Sequence, residues 1–69
     1  LWHNEVALYM EGRQSKEKLE ETIYSSASVL LQNKYKAGRI NELLDILSIT
    51  IPSEIAIIRS KLNLKPDRA

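Results

Sequence analysis

The stretch Asn33-Lys34-Tyr35-Lys36-Ala37-Gly38-Arg39 gathers three cations around one aromatic ring, a residue set that can meet phosphates or an acidic partner. Three charges are few for tight electrostatic binding, and at the C-terminal end of a helix they would complement the macrodipole, which is their expected role. Other reactive residue types are scattered. His3 is the only histidine and there is no cysteine, so a single chain assembles neither a zinc site nor a histidine-activated nucleophile, and His3 is expected at the surface. Glu17, Glu20 and Glu21 alternate with Lys16 and Lys18, the mixed pattern of a solvated helix face rather than a catalytic carboxylate pair. The serines of Ile23-Tyr24-Ser25-Ser26-Ala27-Ser28 are small polar groups that permit close approach of another helix and carry no flanking signature of phosphorylation. No nucleophile, base and orienter occur together, so an enzyme is not expected, and neither is a cofactor, a metal or a small-molecule substrate.

Residues 40–62 raise a second chemistry. Two short apolar-faced segments with a sharp break between them are the outline of a DNA-reading helix-turn-helix, with Arg59 and Lys61 on the second segment as candidate phosphate contacts beside Lys34, Lys36 and Arg39. The match is imperfect. Leu44 stands where that motif wants a small residue, Ser48 where glycine is common, and the apolar anchor of the second helix is shifted to Ile55. A recognition helix presents its N-terminal residues to base edges, and here Ile51, Pro52, Ser53 and Glu54 offer one useful donor and a carboxylate that phosphates repel. A DNA-binding regulator is therefore the alternative reading, and a helical hairpin that closes a bundle is the leading one.

The elements that would position these groups are marked by Gly12, Gly38, Pro52 and Pro66, which cut the chain into four helical segments and a tail. The first, Leu1 to about Glu11, aligns Trp2, Val6, Tyr9 and Met10, with Leu1 and Leu8 on the other side. Trp2 and Tyr9 are thus expected to pack rather than to stack on bases. Ser15 predicts the N-cap of a long second helix running to Ala37, with Leu19, Ile23, Leu30 and Ala37 on one stripe and Tyr24, Leu31 and Tyr35 on another. Ile40, Leu43, Leu44 and Leu47 define the third helix, with Asn41, Glu42 and Asp45 turned to water. Pro52 forbids a continuous helix and belongs in the first turn of a fourth, whose stripe is Ile51, Ile55, Ile58 and Leu62.

The expected architecture is all-α: a single helical domain over residues 1–64, a small bundle of four helices with the long second helix as spine and helices three and four folded back as a hairpin, followed by a flexible tail at 65–69. A chain of 69 residues buries only about 60% of its unfolded surface, so association is the natural reinforcement where no disulfide can form. Tyr24, Leu31 and Tyr35, with Leu8, Ile57 and Leu64, are the apolar groups such a monomer leaves uncovered, and they form the expected protein interface. The function expected is a small protein-interaction or regulatory module, a homo-oligomer or one docked on a larger partner. A net charge of +1 leans against a phosphate-dominated partner. No apolar run approaches the roughly 20 residues a bilayer requires, so no membrane partner is expected and an intracellular, cytoplasmic setting is the default. Opening on Leu1-Trp2 without an initiator methionine, the chain is expected to be an excised or processed piece rather than a complete translated product.

Overall fold

The computed structural model describes residues 2–64; Leu1 and the expected tail at 65–69 lie outside the described residues. Among the described residues there are four helices and no strand: α1 (His3–Met10), α2 (Lys16–Gln32), α3 (Ala37–Ser48) and α4 (Pro52–Leu62). The fold is the all-α bundle that the spacing predicts.

Local chemistry sets most of the boundaries. After α1 the Arg13 N–H donates to the Leu8 carbonyl at 2.9 Å and the Gly12 N–H to that of Tyr9 at 3.0 Å. This motif needs a left-handed residue just past the cap, which Gly12 supplies at φ +76° with no Cβ to strain. Ser15 caps α2, its Oγ accepting from the Lys18 N–H at 3.1 Å, and Glu17 in the first turn complements the macrodipole. Pro52 opens α4, where its missing N–H would have had no helical partner. Asn63 closes that helix at φ 59°, letting the Leu64 N–H return to the Arg59 carbonyl at 3.0 Å.

One boundary differs from expectation. The second helix ends at Gln32, not Ala37, and Gly38 lies inside the first turn of α3. Asn33 is the stop: its Nδ2 donates to the Val29 carbonyl at 2.9 Å, and the Tyr35 N–H turns back to the Leu30 carbonyl at 3.2 Å. Asparagine side chains compete in this way with the helical ladder. At 17 residues α2 is roughly 26 Å long and still the longest element.

The core is one cluster. Trp2 and Val6 come from the first segment, Leu19, Ile23 and Ala27 from α2, and Ile40, Leu44 and Leu47 from α3, joined by Ile51, Ile55 and Ile58. α2 packs against each of the other three helices, and α3 packs against α4. Ser26, in the run of small residues, accepts from the Trp2 indole Nε1 at 2.8 Å, so that run receives α1 as its close neighbour. Three polarity assignments are corrected. Met10, at the final residue of α1, is exposed rather than packed. Asn41 is buried, because Arg59 reaches it from α4. Glu20 is only 6% exposed, with Oε2 lacking a hydrogen-bond partner among the described residues; it precedes Ala27 by seven positions and so shares the buried side of α2.

Candidate protein-interaction face

Three ties fix the rotation of α4. Ile55 and Ile58 are fully buried. On one flank Arg59 donates from Nε to Asn41 Oδ1 and from Nη2 to the Asn41 carbonyl, both at 3.1 Å, and also pairs with Asp45. On the other, the Tyr9 hydroxyl donates to Glu54 Oε2. That bond holds the Glu54 carboxyl below its ordinary value, against the opposing effect of burial, with Lys16 assisting. The same bond is the main reason the Tyr9 phenol is raised, with burial and the Glu54 and Glu20 carboxylates adding to it.

With that rotation set, the residues α4 turns outward are Pro52, Ser53, Ala56, Ile57 and Ser60, all exposed and all uncharged, with Lys61 at the edge. Two concavities border this face. Tyr24, Ser28, Leu31 and Gln32 of α2 form one with Lys61 and Leu62, about 240 Å3 in volume. Pro52, Ala56, Arg59, Ser60 and Leu64 line the other, about 330 Å3. Of the residues expected at an interface, Tyr24, Leu31, Ile57 and Leu64 therefore gather around α4. Tyr24, Leu31 and Leu64 are half-buried, and Leu31 and Leu64 also close the edge of the core. Leu8 is half-buried on α1. Tyr35 does not share a helical stripe with Tyr24 and Leu31, because α2 has ended before it.

The basic residues separate into two groups. Lys34, Lys36 and Arg39 stay together and border a concavity of about 600 Å3 with Tyr35, Gly38 and Glu42. Lys34 follows the α2 C-cap Asn33, as a complement to that helix end would, but Lys36 is the N-cap of α3 and Arg39 lies in its first turn, the end where the macrodipole disfavours cations. Arg39 has Glu42 at 4.0 Å to offset this. Arg59, expected as a phosphate contact, is committed elsewhere: its side chain is 14% exposed and bonded to Asn41 and Asp45 of α3. Lys61, two positions on, projects roughly 160° away from it, so the two cannot serve one strip of phosphates. The partners of Arg59, exposed Asp45 and buried Asn41, lie 14 and 18 residues away, and no local pattern in the sequence announces them.

No helix among the described residues is long and apolar enough to cross a membrane. Compared with models of known families, with curated proteins and with solved structures, the chain matches none.

Proposed function

We propose that this chain is a protein-interaction module that docks through the outward face of α4. The observation that carries the reading is the absence of charge along that face: Pro52, Ser53, Ala56, Ile57 and Ser60 are exposed in a chain of which 28% is charged. Depletion of charge is what distinguishes the centre of an interface from ordinary surface. Ile57 supplies the apolar centre at 36% exposure, and the flanking concavities offer places for a partner's side chains. A photo-crosslinking residue in place of Ser60 should form adducts that vanish when Ile57→Asp is added, whereas the same crosslinker in place of exposed Glu17 should form none. Equal labelling at both positions, or labelling indifferent to Ile57, defeats the reading.

A second reading, an anionic partner such as a nucleic acid, draws on the cluster of Lys34, Lys36 and Arg39, which the dipole of α3 opposes rather than supports. It calls for duplex binding at physiological salt whose salt slope falls when Lys34→Ala, Lys36→Ala and Arg39→Ala are combined. A flat gel-shift titration of the parent chain removes it.

A further inference from the structure

We infer that the occupant of the α4 face is a second copy of this chain, packed with its own α4 antiparallel to the first; this rests on the docking face proposed above. The placement of charge on α4 selects this partner and this orientation. Ser53, Ile57 and Ser60 follow one another at steps of four and three, which makes them a straight seam down the outward side of the helix. Glu54 and Lys61 stand seven residues apart, on the same flank of that seam. When two identical helices meet antiparallel about a twofold axis, equal flanks face each other. Glu54 of each copy then meets Lys61 of the other, giving two opposite-charge pairs about a central contact between the Ile57 side chains.

A parallel pair would set this flank against the one carrying Ala56 and would join no charges. The ionic groups are available for the purpose. Tyr9 engages Oε2 of Glu54, and an ionised carboxylate has about four acceptor sites, so capacity remains for a further donor, while Lys61 is exposed and has no ion pair among the described residues. Neutral Ser53, Ala56 and Ser60 let the two helices approach without like charges opposed. Because α4 has 11 residues it is about 16 Å long, so the seam is short and the dimer should be reversible and concentration-dependent.

Sedimentation equilibrium on the purified chain over a wide concentration range tests this. The parent should show a monomer–dimer equilibrium that weakens as salt is raised. Lys61→Glu and Glu54→Lys should each weaken self-association about tenfold or more, since each turns two attractions into repulsions. An equimolar mixture of the two variants should recover a heterodimer, in which every facing pair is again opposite in sign. If Glu54→Lys disturbs the fold by circular dichroism, Lys61 carries the test alone: Lys61→Arg should retain the dimer and Lys61→Glu should lose it. A dimer indifferent to Lys61→Glu overturns the antiparallel pairing. A parent that stays monomeric at every concentration overturns the second copy, and the crosslinking result then separates the two ideas: an adduct at residue 60 that depends on Ile57 leaves the docking face standing for another partner, and no adduct removes both.

Discussion

Ile57 and Ile58 are neighbours of the same residue type on the same helix, and they meet opposite surroundings. Ile58 is fully buried in the core cluster, while Ile57 is exposed among uncharged residues that no helix among the described residues covers. The difference lies in the ties on either side of them: Arg59 to Asn41 and Asp45, and Glu54 to Tyr9, hold α4 at one rotation. Hydrophobicity alone does not say whether a side chain serves the fold or a partner. The polar residues that index the helix do.

Truncation should separate the two faces most strongly. Ile58→Ala is expected to destabilise the chain by about 2 to 5 kcal/mol in chemical denaturation, as for other buried aliphatic deletions. Next comes the index itself: Arg59→Ala removes the donors that meet Asn41 and should cost about 1 to 3 kcal/mol. A cost near zero for Arg59→Ala would show that apolar packing alone sets the rotation. Ile57→Ala should change monomer stability by no more than about 0.5 kcal/mol, as exposed substitutions usually do, while reducing association. If Ile57→Ala and Ile58→Ala destabilise equally at concentrations where the chain is monomeric, the division between inward and outward faces fails.

The smallest effect belongs to Tyr9→Phe, and its pH dependence identifies it. Glu54 has a depressed pKa in the fold, so its contribution is complete above the ordinary carboxylate range and is lost as pH falls through the folded value. Tyr9 has a raised pKa, so its contribution is present below the ordinary phenol value and is lost as pH rises through the folded one. The gap in melting temperature between the parent and Tyr9→Phe should therefore be widest on the plateau between these limits and should close toward acid and toward strong alkali. A gap constant across that range would assign the loss to packing instead of to the bond with Glu54.

Much of the core was legible because burial leaves a periodic mark. Leu19 and Ile23, Ile40 and Leu44, and Ile55 and Ile58 sit at the spacings that put one side of a helix inward, and all are fully buried. Pro52 marked the break before α4 because its ring and missing donor exclude it from a helix interior. Less visible were features that depend on a distant partner or on a side chain competing with the backbone. Asn33 ended α2 through its own amide while Gly38, the stronger local signal, passed into the next helix. Glu20 has the spacing of an acidic face and lies inside, beside Leu19 and on the Ala27 side of α2. Asn41 and Arg59 looked like solvent groups and proved to be each other's partners. Of the expected interface residues, those flanking α4 came together because both concavities follow from where that helix lies. Tyr35 did not, because α2 ends at Gln32, before it.

Trp2 holds an unusual position: it is the only tryptophan, it precedes α1 in a left-handed conformation at φ 68°, and its buried indole is bonded to Ser26 of α2. Its fluorescence is consequently an intrinsic gauge of one event, the docking of α1 on α2. Release of the indole into water should move its emission to longer wavelength, and because α1 is short, this can occur with little change in helical circular dichroism. Recorded together through a denaturant titration, the two signals would tell whether the first helix departs alone or only when the whole bundle opens.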